Sequence, residues 1–280
     1  MRGGDAVRRR DVLRFLAIGA ASIGAAGAPS FLWSMPAAAQ QTRSGRPAGP
    51  AARRPTVVLD PGHGGVDPGT IGVSGVYEKD VAFDAARELA VQLERTGRYR
   101  LAMTRASDEF VALRDRVARA RAAGADLFIS LHADALPNHA MRGASVFTLS
   151  EQASDKEAAA LAARENKADL IAGIDLSRHA PEVSNILLDL ARRQTNNLSI
   201  GLARRLVSDL GQSVVLLENS HRSAGFAVLK APDVPSVLIE MGCLSNREED
   251  QLLRSAAYQR KLAGSIVRSV HAYFDTILKA

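Results

Sequence analysis

The sequence predicts an α/β protein with a mostly parallel sheet flanked by helices, and with a helical insertion at about 150–212. Short apolar runs rich in β-branched residues alternate with longer segments whose apolar residues recur at helical spacing. Three of the apolar runs lead directly to an ionisable side chain, at His63, His132 and Glu240. The chain has 280 residues, 46% hydrophobic and 24% charged, which is ordinary for a globular protein with a substantial core.

Four strands and two helices are predicted in the first part of the domain. Strands are expected at about 56–60, 99–104, 126–134 and 145–149, and helices at about 79–95 and 111–123. Gly97 and Gly124 follow the two helices and would end them. Four arginines of the second helix are expected on its solvent side: Arg114, Arg116, Arg119 and Arg121. Alternation of strand and helix in this order favours parallel pairing.

The segment 150–212 interrupts this alternation. An Ala-rich helix is predicted over 154–171, and Ser154 with Glu157 would form a capping box at its start. A loose stretch rich in Gly, Asp, Ser and Pro follows, and then a second long helix over about 184–210. This is more helix than a crossover between strands requires. The segment is either an insertion packed on the sheet or a movable lid.

The alternation resumes near the carboxyl end of the chain. Strands are predicted at 225–229 and 236–240, followed by helices at about 246–254 and 256–277. Asn246 and Glu249 would form another capping box. The single cysteine, Cys243, lies in an apolar run and is expected to be buried; it allows no intramolecular disulfide.

The first 39 residues resemble a twin-arginine export signal. Paired arginines at 8–10 precede a weakly apolar run at 15–33, and an Ala-x-Ala cleavage site ends at Ala39. The alternative is a membrane anchor, but the glycines and the proline in that run make it unsuited to a permanent membrane span. We therefore expect a periplasmic protein with a signal peptide at 1–39, a flexible leader at 40–55 and one domain at 56–280.

The charge of the chain is concentrated in that export segment. Residues 1–39 hold five arginines and two aspartates, so they carry +3 of the formal net charge of +6. The remaining +3 is modest, and nothing in its distribution indicates nucleic-acid binding. A mildly basic surface would suit an anionic polymer such as the cell wall.

The residues that carry chemistry are expected at one edge of the sheet. Parallel strands end at the same edge, so His63, His132 and Glu240 can converge, and Glu78 can reach them from the loop before the first helix. Two imidazoles and a carboxylate form a catalytic zinc set that leaves one position open. A further carboxylate would serve as general base in hydrolysis. Asp60 and Asp134 either orient a ligand histidine or serve in turns and caps.

Four motifs resemble the zinc-dependent N-acetylmuramoyl-L-alanine amidases of the amidase_3 family. They are LDPGHGG at 59–65, EKD at 78–80, SLHAD at 130–134 and VLIEMG at 237–242, and the resemblance covers about 56–277. It implies hydrolysis of the amide between N-acetylmuramic acid and L-alanine in peptidoglycan. It also implies one Zn²⁺ per chain held by His63, Glu78 and His132, with Glu240 as the catalytic glutamate.

The segments GFAVLK at 225–230 and Ser245-Asn246 further resemble the subgroup of periplasmic division amidases. In that subgroup a helical insertion blocks the zinc until a periplasmic activator protein displaces it. The resemblance implies an autoinhibitory carboxylate in 150–212, with Glu165 the first choice and Glu157 the second. Alternatively, both are ordinary solvent-facing helix residues. The leader at 40–55 is too short for the N-terminal wall-targeting domain that some relatives carry.

Two other functions compete with the amidase. A zinc peptidase that cuts within the stem peptide would use the same metal and glutamate. A non-catalytic wall-binding module would keep the fold alone, but such a module has no need of a carboxylate such as Glu240 at a strand end.

Overall fold

The computed structural model describes residues 53–173 and 186–278, with side chains placed over 53–173 and 192–278. The export signal predicted at 1–39, most of the leader predicted at 40–55 and the stretch 174–185 lie outside the described residues. Among the helices that are described, none is both long enough and apolar enough to cross a bilayer.

Six strands and seven helices follow one another along the described chain. The strands are β1 (Thr56–Pro61), β2 (Arg100–Met103), β3 (Leu127–His132), β4 (Ala144–Leu149), β5 (Leu216–Ala224) and β6 (Ser236–Glu240). The helices are α1 (Glu78–Arg95), α2 (Leu113–Ala122), α3 (Lys156–Glu165), α4 (Ala168–Ile171), α5 (Ile186–Gly211), α6 (Arg247–Leu253) and α7 (Ala256–Ile277). The α/β fold class predicted from the sequence is confirmed.

The strands form one sheet in the order β2-β1-β3-β6-β4-β5. Every neighbouring pair is parallel except β4 and β6, which run antiparallel. Pro61 pairs with Leu131, and His132 pairs with Glu240, so the ends of β1, β3 and β6 lie side by side at one edge. This register is what positions the functional site.

The alternation of side chains along the central strands builds a core on each face of the sheet. On one face, Leu59 and Ile129 pack with α1, α5 and α7, including Leu206. On the other face, Phe128 packs with Phe147 and Phe226 and with apolar residues of α3. Because both faces are covered by apolar side chains, β1, β3 and β6 read in the sequence as continuous apolar runs.

The helices of the segment 150–212 pack on both faces of the sheet, α5 on one face and α3 on the other. The carboxyl-terminal half of α5 buries Leu202, Leu206 and Leu210 completely in the core, so it belongs to the helical layer of the sheet. The predicted helix at 154–171 is divided into α3 and α4 at 166–167. Its cap is Asp155, which accepts a hydrogen bond from the amide of Ala158 at 2.8 Å, so the capping box predicted at Ser154 is wrong.

The strand predicted at 225–229 is also wrong. The strand ends at Ala224, and residues Ala227–Leu229 form a 3-10 turn; the side chains of Val228 and Leu229, with Phe226, are buried in the core. The true strand β5 lies at the end of the sheet and is polar after Leu217, so only the short apolar run at 214–217 marks its start. The strand prediction at 225–229 failed because a buried turn can be as apolar as a strand.

The second capping box is half correct. Asn246 caps α6 by accepting from the amides of Glu248 and Glu249, but the Glu249 carboxylate turns away and accepts from the amides of Gly143 and Cys243. Cys243 is buried and free, as predicted. Glu249 thereby ties the start of β4 to the segment that follows Glu240.

Candidate metal centre

Two histidines and a glutamate meet at the edge where β1 and β3 end. The rings of His63 and His132 lie edge to face, with centroids 4.9 Å apart. Glu78 Oε1 lies 3.2 Å from His63 Nε2 and 3.0 Å from His132 Nδ1, and all three side chains are buried. Donor atoms held about 2.0–2.1 Å from a tetrahedral zinc are about 3.3 Å apart. Both distances from Glu78 Oε1 therefore fit a shared zinc ion.

The turn that carries His63 has little room. A Cβ atom on Gly62 would come within 2.4 Å of the His132 ring, so only glycine fits there. His63 itself adopts a left-handed backbone conformation with φ of 58°. Its Nδ1 lies 2.8 Å from Asp67 Oδ2, which leaves Nε2 facing the cluster. That Nε2 is buried without a hydrogen-bond partner, as expected of an atom reserved for a metal.

The sequence placed Glu78 in the loop before the first helix. Its side chain instead enters the cluster from the helix itself. It is the first residue of α1. Its Oε1 accepts from the amide of Ala133 at 3.0 Å, and its Oε2 accepts from the amide of Thr70 at 2.9 Å. Burial alone would raise the pKa of Glu78, but the two histidines lower it well below its usual value. Glu78 is thus held as a carboxylate.

The pKa of His63 is raised well above its usual value. Burial acts to lower it, but the charge of Glu78, the hydrogen bond that Asp67 accepts and the nearby carboxylate of Glu165 outweigh that effect. The carboxylates around His63 therefore give the cluster a negative charge, which favours binding of a cation.

Glu240 ends β6 directly beside His132. Its Oε2 accepts from the amide of Asp134 at 3.0 Å, whereas its buried Oε1 has no hydrogen-bond partner. Burial first, and then the charges of Asp134, Glu78 and Glu165, raise the pKa of Glu240 well above its usual value. A carboxyl group with a raised pKa takes up a proton more readily than an ordinary glutamate, which suits general acid–base catalysis.

Glu165 reaches the same cluster from the end of α3. Its Oε2 lies 3.3 Å from both His63 Nε2 and His132 Nδ1, and the residue is only 6% exposed. The donor atoms of these three residues all lie within 4.8 Å of one another, as in a metal site. The side chain of Glu157, by contrast, is 67% exposed and lies 3.6 Å from Arg222. The solvent-facing alternative is therefore wrong for Glu165 and correct for Glu157.

The sequence matches the family Amidase_3, described as N-acetylmuramoyl-L-alanine amidase, over residues 57–272. The chain belongs to this family. It is 41% identical over 235 residues to the N-acetylmuramoyl-L-alanine amidase AmiC of Escherichia coli O6:H1, an alignment that covers 83% of this chain and 56% of that protein. It is also 41% identical over 219 residues to AmiA of Escherichia coli K12, covering 78% and 75% of the two chains. The chain thus spans little more than half the length of the AmiC relative.

A solved amidase structure has the same fold. The catalytic domain of CwlV, an N-acetylmuramoyl-L-alanine amidase from Bacillus (Paenibacillus) polymyxa, superposes with a TM-score of 0.57 at 23% identity. The superposition covers 79% of this chain and 98% of that domain. It extends the family relationship to the arrangement of the sheet and its helices.

This Amidase_3 member orients its first histidine with a residue that sequence reasoning missed. Asp67 accepts from His63, whereas Asp60 contacts Arg116, Thr104 and Ser130, so the alternative in which Asp60 orients a ligand histidine is wrong. Asp134 likewise contacts Thr70 and Arg164 and not a histidine. The spacing of His63 and Asp67, four residues apart within a glycine-rich turn, was the signal available in the sequence.

Replacing Asp67 by alanine is expected to weaken zinc binding by about 10–100-fold, because partners that orient a ligand histidine typically contribute that much. Competition with a fluorescent zinc chelator measures the change in dissociation constant. Asp84→Ala, at an exposed position of α1, is the matched control. A dissociation constant for Asp67→Ala equal to that of the parent chain would contradict the orienting role.

Proposed function

We propose that this chain is a zinc-dependent amidase that hydrolyses the bond between N-acetylmuramic acid and L-alanine in peptidoglycan. The observation that carries the proposal is the buried cluster in which one oxygen of Glu78 faces an imidazole nitrogen of both His63 and His132, at 3.2 and 3.0 Å. Membership of the amidase family and the names of relatives at 41% identity support the same substrate.

One zinc ion per chain would be held by His63 Nε2, His132 Nδ1 and a carboxylate oxygen of Glu78. Two neutral imidazoles and one carboxylate suit zinc and leave a further position for substrate or water. When bound, zinc supplies Lewis acidity, which polarises an amide carbonyl and makes a water molecule more acidic. The buried, unpartnered Nε2 of His63 supports this assignment.

Glu240 is assigned as the general base and acid of hydrolysis. Its Oε1 is buried and free of hydrogen bonds, so it can accept the proton of an attacking water molecule. The same oxygen can then deliver that proton to the leaving nitrogen of L-alanine. The hydrogen bond from the amide of Asp134 to Oε2 holds the carboxyl group in one orientation.

Glu165 is assigned as the group that closes the site. It approaches both histidines at 3.3 Å, where a substrate carbonyl or water would otherwise enter. The neighbouring Arg164 pairs with the buried Asp134, and Asn166 bonds to Gly225 and Ala227, so α3 is fastened over the cluster at its carboxyl end. We propose that a periplasmic activator displaces this helix during separation of daughter cells.

The proposal extends to the organisation of the chain. Residues 1–39 would direct export to the periplasm by the twin-arginine route, 40–55 would form a leader, and 56–280 would be the catalytic domain with its regulatory helices. Export in the folded state would allow zinc to be bound beforehand, and zinc analysis of the retained precursor tests this.

The metal dependence of peptidoglycan digestion tests the activity. Purified sacculi are incubated with the chain and with its Glu165→Ala variant, before and after zinc is removed by a chelator. We expect soluble peptides to be released, the release to stop on zinc removal, and readdition of zinc to restore it. Release of peptides that persists after zinc is removed would contradict the proposed function. So would a failure of both proteins to release any peptide.

A further inference from the structure

Two arginines lie buried directly behind the turn that carries His63. Arg105 is 1% exposed and Arg116 is 2% exposed. The sequence predicted Arg116 on the solvent side of α2, and that prediction is wrong. A buried guanidinium group is costly unless its donors are satisfied, so the partners of these two side chains reveal what they do.

Their partners are three consecutive carbonyl groups of the turn. Arg116 Nη1 donates to the carbonyl of Pro61 at 2.7 Å, and Arg116 Nη2 donates to the carbonyl of His63 at 2.7 Å. Arg105 Nε donates to the carbonyl of Pro61 at 3.1 Å, and Arg105 Nη2 donates to the carbonyl of Gly62 at 3.0 Å. Every backbone acceptor from the end of β1 to His63 is therefore held by a guanidinium group.

The same two side chains tie this turn to other elements. Arg105 Nη2 also donates to the carbonyl of Lys79 at 2.7 Å, in the first turn of α1 and next to Glu78. Arg116 Nη1 pairs with Asp60 at 2.9 Å, and Arg116 Nε donates to the carbonyl of Val111 at 2.8 Å. Arg105 thereby links the backbone of His63's turn to the helix that presents Glu78, and Arg116 anchors the turn to β1 and to the segment before α2.

The turn needs such support because of its backbone conformation. Among the described residues, His63 is the one non-glycine residue with a positive φ. A residue with a Cβ atom adopts this conformation at a cost in energy, and it persists only where the surroundings enforce it. The hydrogen bond from Arg116 to the His63 carbonyl holds the peptide group that follows His63, and so helps to keep this residue in its left-handed conformation.

We propose that Arg105 and Arg116 are positioning residues of the metal centre, which hold His63 and Glu78 in the relative placement that zinc binding requires. The inference rests on the proposed function, since it concerns the same zinc site. Neither arginine touches the cluster with its side chain; each acts through the backbone that carries a ligand.

A purely structural role for the arginines predicts a different outcome. Arg116 and Asp60 form a buried ion pair, and a disruption of that pair would loosen the whole domain. A positioning role instead predicts faster hydrogen exchange only in residues 62–79 and weaker zinc binding, in a domain that remains folded. The experiment must therefore report on both the turn and a distant element.

The variants Arg105→Lys and Arg116→Lys provide this separation. Lysine keeps the positive charge, but its single ammonium group cannot reproduce the planar fork that reaches two carbonyls. The double variant Asp60→Asn/Arg116→Gln removes both buried charges together, in case Arg116→Lys alone fails to fold. Arg121→Lys is the matched control, because Arg121 lies on the exposed side of α2 and pairs with Asp233 at the surface.

Zinc dissociation constants and amide hydrogen exchange of the zinc-free chain are measured for each variant. We expect dissociation constants about 10–100-fold higher for the Arg105 and Arg116 variants, the usual effect of lost support around metal ligands, and none for Arg121→Lys. Exchange should accelerate in 62–79 and remain unchanged in α7. Unchanged zinc affinity, or faster exchange throughout the domain, would overturn the proposal. A parent chain that binds no zinc would instead refute the proposed function, and the positioning role with it.

Discussion

Replacement of Glu240 by glutamine is expected to reduce peptidoglycan hydrolysis by about 10²–10⁴-fold, the usual contribution of a positioned general acid–base group. Glutamine keeps the shape of the side chain and can still accept the hydrogen bond from the Asp134 amide. It cannot exchange a proton at the position of the unpartnered Oε1. Zinc should remain bound, because the proposed ligands are His63, Glu78 and His132.

Turnover and zinc content are measured on the same preparation of the Glu240→Gln variant. Glu94→Gln, on the exposed side of α1, is the matched control and should behave as the parent chain. Retained activity would refute the role of Glu240 as base. Loss of zinc together with activity would instead make Glu240 a metal ligand and contradict the assignment.

Replacement of Glu165 by alanine is expected to increase hydrolysis by about ten- to a hundredfold. That rise corresponds to a closed state favoured by about 1.4–2.8 kcal/mol over the open one. The reason is geometric, because Glu165 Oε2 approaches both histidines at the position a substrate would need. The point variant is preferable to a deletion, since α3 buries Ala158, Leu161 and Ala162 in the core, and deletion would expose that surface.

Glu157→Ala is the matched control for this prediction. It removes the same group from the same helix at an exposed position, and its activity should equal that of the parent chain. Initial rates on purified sacculi and zinc content are compared for both variants. Equal rates for Glu165→Ala and the parent would contradict autoinhibition. Loss of zinc from Glu165→Ala would show that Glu165 serves as a ligand and not as a closing group.

The sequence predicted the parts of the site that depend on strand ends. His63, His132 and Glu240 each follow an apolar run, and the parallel register of β1, β3 and β6 brings those ends together. Glu78 was predicted from its place just before a helix, and it is in fact the first residue of that helix. These features depend on short stretches of sequence, which is why they could be predicted without a structure.

The contacts that the sequence did not predict all depend on tertiary placement. Arg116 carries a charge and lies among other arginines of an amphipathic helix, so nothing local distinguishes it from its exposed neighbours. Its burial follows from the position of the Asp60 carboxylate and the free carbonyls of the turn. Asp155 caps α3 partly because Arg222, on β5, pairs with it. Strand β5 is polar after Leu217 and pairs there with β4.

The identity of the fragments released from peptidoglycan tests the central claim most directly. Purified sacculi are digested with the zinc-loaded Glu165→Ala variant, and the soluble products are identified by mass spectrometry. The account predicts complete stem peptides that begin with L-alanine and carry no sugar, with glycan strands left intact. Peptides shortened within the stem would indicate a peptidase, and no released material at all would indicate a wall-binding module; either result would contradict the assignment of an amidase.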